Sequence, residues 1–156
     1  MNKQKIWFFS SLTLTLSAII LLVTSASLLT LSLNKNNTIP LGTFITWIGL
    51  ISLPLTIYWS VKELRKPTTK LNSILSGSLK TIIVLGILWT PLSYLLAGNF
   101  SFVFSEKETF QGGQTAMKLF WRLSYGIVIG SILSILSYWI SLLFKVKTNL
   151  KNEKHI

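Results

Sequence analysis

The sequence predicts an all-α integral membrane protein, folded as a compact antiparallel bundle of four transmembrane helices in a single domain, residues 1–156. Half of its 156 residues are hydrophobic and only 12% are charged, whereas about 25% of residues are charged in soluble domains. Four apolar runs each supply the roughly 20 residues that a helix needs to cross about 30 Å of hydrocarbon. The runs are continuous rather than alternating, which excludes the strands of a membrane barrel.

The four predicted helices follow from these apolar runs. They cover about residues 6–33, 41–61, 79–97 and 119–144, and the third has an alternative start near Leu71. Short connections separate them, and short connections favour antiparallel neighbours. Residues 145–156 carry four lysines and little apolar character, so we expect a cytoplasmic tail there.

The first apolar run has an alternative interpretation as a cleaved secretory signal. It follows two lysines, and Thr24, Ser25 and Ala26 resemble a cleavage site. However, about 20 apolar residues precede Ala26, more than the usual region of about 7–15, and the run continues through Leu31. A retained first helix is therefore favoured, whereas cleavage would leave three spans.

The distribution of Lys and Arg predicts the orientation. Eleven of the fifteen basic residues fall on the side that holds both termini and the connection between helices two and three. They are Lys3, Lys5, Lys62, Arg65, Lys66, Lys70, Lys80, Lys145, Lys147, Lys151 and Lys154. The other side holds Lys35, Lys107, Lys118 and Arg122. Because cytoplasmic loops are rich in Lys and Arg, we expect both termini in the cytoplasm, at a plasma or inner membrane.

The chain lacks the residues on which most membrane enzymes depend. It has no Cys, no Asp, a single His at His155, and four Glu that all lie outside the apolar runs. This set excludes disulfide exchange, a His/Cys zinc site and a Ser-His-Asp triad within the chain. We therefore expect no enzymatic activity, no metal and no cofactor. The net charge of +11 is a topology signal, so we expect no nucleic-acid partner.

Small residues on the fourth helix predict a helix-packing surface. Gly126, Gly130 and Ser134 recur every four residues and therefore share one face. Small residues let a second helix approach closely in lipid. The favoured partner is a helix of the same bundle, and the alternative is another membrane protein or a second copy of the chain.

Hydroxyl residues on the first helix form a second stripe, made of Ser10, Thr13, Ser17, Thr24 and Ser27. Such hydroxyls bond across helices or to their own backbone. We expect this stripe to be the buried face of the helix, and the alternative is the polar lining of a permeation path.

Helices two and three share a proline pattern. In each, Gly precedes Pro by five positions, ahead of Pro54 and of Pro91. Each proline removes one backbone hydrogen bond near mid-span, so both helices are expected to kink. Paired interruptions also mark transport sites. A permeation site at the two prolines, with the freed carbonyls of Leu50 and Ile87 as ligands, is therefore the alternative.

Basic residues near helix ends are candidate contacts for anionic lipid or a partner. One cluster lies between helices two and three and contains Lys62, Arg65, Lys66 and Lys70; a pair at the start of helix four is Lys118 and Arg122. Juxtamembrane basic clusters attract anionic lipid, although topology alone also explains them.

The six tryptophans divide by their predicted depth. Three lie near predicted helix ends, as aromatic belts require: Trp7, Trp59 and Trp121. Three lie deeper and are expected to pack between helices: Trp47, Trp89 and Trp139.

These features predict a non-enzymatic accessory, assembly or scaffolding component that packs against other membrane proteins in the lipid bilayer. The alternative is a small oligomeric permease for an ion or small solute that uses the proline-kinked helices. The surroundings of Pro54 and Pro91 discriminate between them, because a dry, filled interior favours the first function and a polar cavity favours the second.

Overall fold

The predicted all-α class is confirmed. The computed structural model describes residues 3–24, 26–33, 39–100, 103–104 and 109–153, and of residues 26 and 145–153 it describes the backbone alone. Helix makes up 84% of it, and these residues form no strand. Six helices follow in chain order: α1 Lys3–Thr24, α2 Ala26–Leu29, α3 Leu41–Ser60, α4 Lys62–Arg65, α5 Lys70–Ala97 and α6 Gly113–Glu153.

Four of these helices are long and apolar enough to cross a membrane: α1, α3, α5 and residues 113–144 of α6. All four leave large apolar side chains exposed. Val23, Leu95 and Leu143 are 80%, 77% and 71% exposed. A water-soluble bundle would turn such side chains inward, because each contributes about 1.5–3 kcal/mol when buried.

The first helix ends earlier than its apolar run, which corrects the predicted end at residue 33. α1 stops at Thr24, and after the short α2 the backbone of Leu33 and Leu31 pairs with that of Ile39 and Leu41, with N···O distances of 2.9 and 2.7 Å. Hydroxyl residues are frequent from position 24 to 30, and their side chains compete with the backbone for hydrogen bonds. The connection at residues 34–38 lies outside the described residues.

The other helix ends have local causes. α5 begins at Lys70, which agrees with the alternative start near Leu71 and corrects the start at residue 79. The hydroxyl of Thr69 accepts from the N–H of Asn72 over 3.2 Å and caps the helix there. α5 ends at Gly98, whose left-handed φ of 78° suits glycine. α6 continues helical to Glu153, through most of the predicted tail, while residues 154–156 lie outside the described part.

α1 packs on α3 through a seam of small residues. The hydroxyl of Thr15 donates to that of Ser52 over 3.0 Å, and its oxygen lies 3.2 Å from the hydroxyl oxygen of Thr56. Ala18 lies three residues after Thr15 on α1, and a Cβ placed on Gly49 of α3 would lie only 3.1 Å from the Cβ of Ala18. Small side chains on both helices therefore allow the close approach.

The predicted hydroxyl stripe on the first helix was wrong. Ser10, Thr13, Ser17, Thr24 and Ser27 are all exposed, whereas the buried residues of α1 are Ser11, Thr15 and Ala18. The face of α1 that packs is the one whose side chains fit against the small residues of α3. The fit of the two surfaces, and not the number of hydroxyl groups, therefore decides which face of α1 is turned toward α3.

The apolar core lies between α3, α5 and α6. One cluster contains Ile57, Leu64, Leu79 and Tyr138. A second contains Leu50, Trp89, Phe120 and Ile127. Among the described residues, α1 contacts α2 and α3 but neither α5 nor α6. A third cluster, made of Ala18, Leu29 and Ile45, joins α1 to α2 and α3. α3 is therefore the main partner of α1.

We expect Thr15→Val to lower the free energy of unfolding by about 0.6–2 kcal/mol, because the substitution keeps the shape of the side chain and removes the interhelical hydrogen bonds. The measurement is unfolding of the detergent-solubilised protein by dodecyl sulfate, followed by circular dichroism. Thr13→Val is the matched control, since Thr13 is exposed on the same helix. Equal losses for both variants would contradict the assignment of the seam.

Candidate functional site

Pro54 leaves a carbonyl in α3 without its usual donor, and α5 covers it. The proline nitrogen cannot donate to the carbonyl of Leu50, four residues earlier. A Cβ placed on Gly86 of α5 would lie 2.9 Å from that carbonyl oxygen. Pro54 and Gly86 are both buried. Only glycine lets α5 come this close to the backbone of α3.

Pro91 likewise leaves a carbonyl in α5 without its usual hydrogen-bond donor, and α3 supplies a donor to it. The carbonyl without its usual N–H partner is that of Ile87. The indole Nε1 of Trp47 donates to the oxygen of Ile87 over 3.2 Å and to that of Gly86 over 3.1 Å. The side chain of Trp47 is only partly buried, and this interhelical contact gives its N–H two acceptors.

The two arrangements are reciprocal, because each helix covers the carbonyl that the proline of the other helix frees. We call this contact the proline interface and define it as Trp47, Leu50, Pro54, Gly86, Ile87 and Pro91. Both helices continue through their prolines. The structure thus brings together the two predicted proline sites, with the freed carbonyls directed at a neighbouring helix.

A small apolar cavity of about 50 Å³ borders the proline interface, lined by Ile39, Thr43, Phe44, Trp47, Thr90 and Phe100. It is much smaller than the roughly 300–1,000 Å³ of ordinary small-molecule sites. The hydroxyl oxygens of Thr46 and Thr90 are buried without a hydrogen-bond partner. The hydroxyl of Thr43 donates to the carbonyl of Phe100 over 2.6 Å. The cavity wall is apolar, so this geometry suits helix packing better than solute binding.

The structure divides the small-residue row of the fourth predicted helix. Gly130 faces α5, where a Cβ would lie 3.0 Å from Cδ1 of Ile82. Ser134 is buried, and its hydroxyl donates to the carbonyl of Gly130 over 2.8 Å. Gly126 is exposed, and no described atom lies within 4 Å of a Cβ placed there. Of these three residues, only Gly126 therefore leaves space for the close approach of another helix.

The predicted basic residues differ in their surroundings. Lys62, Lys66 and Lys70 are exposed, as are Lys118 and Arg122 at the start of α6. Arg65 is partly buried: its Nη1 donates to the carbonyl of Trp59 over 3.0 Å, and its guanidinium carbon lies 5.5 Å from the ring centroid of Trp59. Lys35, Lys107 and Lys154 lie outside the described residues, as do the side chains of Lys145, Lys147 and Lys151.

Three residues at these sites were not identified from the sequence. Trp47 was expected only to pack, and Gly86 was noted only for its spacing from Pro91. Lys5, counted only as a topology charge, lines the same groove as Arg65. The sequence places Trp7 and Trp59 near helix ends on the same side, but the stacking of their rings at 6.3 Å is seen only in the structure.

The two other deep tryptophans have opposite outcomes. Trp89 packs as predicted: it is 3% exposed, and its Nε1 donates to the hydroxyl of Ser124 over 2.8 Å. The prediction for Trp139 was wrong, since its side chain is 56% exposed. Its neighbour Tyr138 takes the inward position, which turns Trp139 to the outer face of α6.

Comparisons with protein-family models, with curated proteins and with solved structures find no significant match to this chain.

We expect Gly86→Val to lower the free energy of unfolding by about 1–3 kcal/mol, because the added side chain would force α5 away from the backbone of Leu50. Gly77→Val is the matched control on the same helix, where no described atom lies within 4 Å of a Cβ. Unfolding by dodecyl sulfate, followed by circular dichroism, measures both. A loss at Gly77 as large as that at Gly86 would contradict the close contact.

Proposed function

We propose that this protein is a multi-pass integral membrane protein whose four long helices cross the bilayer in alternating directions as an antiparallel bundle. The support is the exposed apolar surface of all four helices, which lipid would cover at no cost. The hydroxyl groups support it as well, since Ser11, Ser93 and Ser131 donate to carbonyls within their own helices. Internal hydrogen bonding of this kind is what an apolar solvent demands.

Both termini face the cytoplasm in this proposal, at a plasma or inner membrane. Basic residues at the start of α1, in α4 and at the start of α5 support it, because cytoplasmic segments are enriched in Lys and Arg. The ring stack of Trp7 and Trp59 brings the start of α1 to the end of α3. The basic residues Lys5 and Arg65 therefore lie at one end of the molecule.

The protein acts as an accessory, assembly or scaffolding component that packs against other membrane proteins, without enzymatic activity of its own. The observation that carries this proposal is the proline interface. Its freed carbonyls face helix atoms, and the adjoining cavity is small and apolar. A permease would need those carbonyls to face a water-filled path. A filled interior favours a structural role.

The surface around Gly126 is where a partner helix would pack. Gly126 is open, and Ile129 and Leu133 on the same side of α6 are exposed. A small residue beside apolar side chains permits close helix contact, which is the main source of association in lipid. The partner is a transmembrane helix of another protein; a second copy of this chain is the other outcome that the purification below distinguishes.

Thiol labelling tests the filled interior, and the absence of Cys from the chain makes single-cysteine variants unambiguous. In reconstituted membranes we expect Ser52→Cys and Ser93→Cys, both buried beside a proline, to react with a membrane-impermeant maleimide at least about tenfold more slowly than Thr68→Cys. Thr68 is exposed between α4 and α5. Rapid labelling at Ser52 or Ser93 would instead indicate a water path and favour the permease.

Purification of tagged protein in mild detergent tests the partner role. We expect a complex with other membrane proteins, and we expect Gly126→Ile to release the partner while the helical content of the chain is retained, because no described atom occupies that space. Gly77→Ile is the control, as it makes the same change at an open position of α5.

Native mass and identity of the co-purifying chains give the result. A partner lost from Gly126→Ile but retained by Gly77→Ile supports the proposal. A lone monomer from the unmodified chain would overturn the proposal. A homo-oligomer would overturn the choice of partner, because the helix that packs at Gly126 would then belong to a second copy of this chain.

A further inference from the structure

A groove at the Lys5 end of the molecule combines charge with an aromatic floor. It measures about 280 Å³ and is lined by Gln4, Lys5, Phe8, Trp59, Ser60 and Arg65. These residues come from the start of α1, the end of α3 and the end of α4, so the groove exists only because the helices pack. Its volume lies just below the usual range of about 300–1,000 Å³ for small-ligand sites, which suits a headgroup rather than a whole lipid.

Two cations from distant parts of the sequence converge on this groove. Lys5 is exposed, and Arg65 is held over the ring of Trp59 while one of its N–H groups donates to the carbonyl of that residue. A guanidinium has about five N–H donors, so further donors remain for a ligand. An anchored guanidinium loses little entropy on binding and suits the planar contact with phosphate or carboxylate.

The charges around the groove favour an anion. Its two cations, Lys5 and Arg65, have no acid among the lining residues. Lys66 follows Arg65 in the chain and Lys62 precedes it by three residues; both are exposed and neither lines the groove. The acid of the same segment, Glu63, accepts a hydrogen bond from the hydroxyl of Tyr138 over 3.0 Å. Its carboxylate is therefore drawn to α6, away from the residues that line the groove.

The aromatic residues place the groove at the level of lipid headgroups. Trp7 and Trp59 stack at 6.3 Å, and Trp7 is 58% exposed. Tryptophans prefer the boundary between hydrocarbon and water. Phe8 and the ring of Trp59 give the groove an apolar side, while Lys5 and Arg65 give it a charged side. A ligand with a phosphate next to an apolar part matches both sides.

We propose that this groove binds the headgroup of an anionic phospholipid, with the phosphate between Lys5 and Arg65 and the adjoining glycerol against Phe8 and Trp59. The inference rests on the membrane location proposed above and is independent of the accessory role. It assigns to Lys5 and Arg65 a specific contact that the neighbouring basic residues do not share.

Native mass spectrometry of the detergent-purified chain tests the assignment, with phosphatidylglycerol and phosphatidylcholine as probes. We expect one phosphatidylglycerol to be retained in preference to phosphatidylcholine. Lys5→Gln and Arg65→Gln should each weaken that retention about fivefold, the effect of one interfacial charge. Lys3→Gln and Lys66→Gln are the matched controls, since they remove the same charge from exposed positions two residues and one residue away.

The outcomes separate a built site from diffuse attraction. Losses confined to Lys5→Gln and Arg65→Gln support the groove, and Lys5→Gln alone suffices if Arg65→Gln fails to fold. Equal losses in the controls, or equal retention of phosphatidylcholine, would overturn it. Displacement of the lipid by soluble glycerol phosphate would also overturn the lipid assignment.

Reconstitution into phosphatidylcholine nanodiscs keeps the two proposals distinguishable. Failure to incorporate would count against the membrane location itself. Incorporation without lipid discrimination would count against the groove alone.

Discussion

The rest of the structure depends on one constraint, which is that each carbonyl freed by a proline must be covered where water is absent. Pro54 and Pro91 each remove a donor within their helix. The other helix covers both carbonyls: Gly86 lies against that of Leu50, and the indole of Trp47 donates to that of Ile87. This requirement fixes how closely α3 and α5 approach and which turns meet. The position of α5 against α6, through Trp89 and Phe120, builds on that register.

Many hydroxyl groups obey the same constraint on a smaller scale. About half of the described Ser and Thr side chains of the long helices donate to a carbonyl three or four residues earlier, as Ser131 and Ser134 do. They are thereby satisfied without a partner helix. Thr15 also reaches across to α3. The hydroxyl residues of this apolar chain therefore serve two purposes: many form hydrogen bonds within their own helix, and a few specify which helix faces meet.

The fold was predictable to the extent that it depends on single segments. The four long helices follow from the length of apolar runs, and α3 was located to within one residue of its end. The end of α1 was not predictable, because the apolar run continues past Thr24 and the backbone pairing of Leu31 and Leu33 with Leu41 and Ile39 exists only in the folded chain. The functional candidates show the same division. Pro54 and Pro91 were identifiable from the sequence, but the residues that cover their carbonyls depend on the register between helices, and so does the meeting of Lys5 with Arg65.

The attachment of α1 to α3 alone has a consequence for the order of assembly. During synthesis α1 emerges before α3, and Ser52, the seam partner of Thr15, lies 37 residues further along the chain. Until then α1 has no described helix to pack against except α2. Its apolar span is more hydrophobic than that of α3 and has about half the buried share, 17% against 33%. In the proposed bilayer, α1 is thus better suited than α3 to stand alone in lipid, whereas α3 has helices packed against it from both α1 and the α5–α6 side.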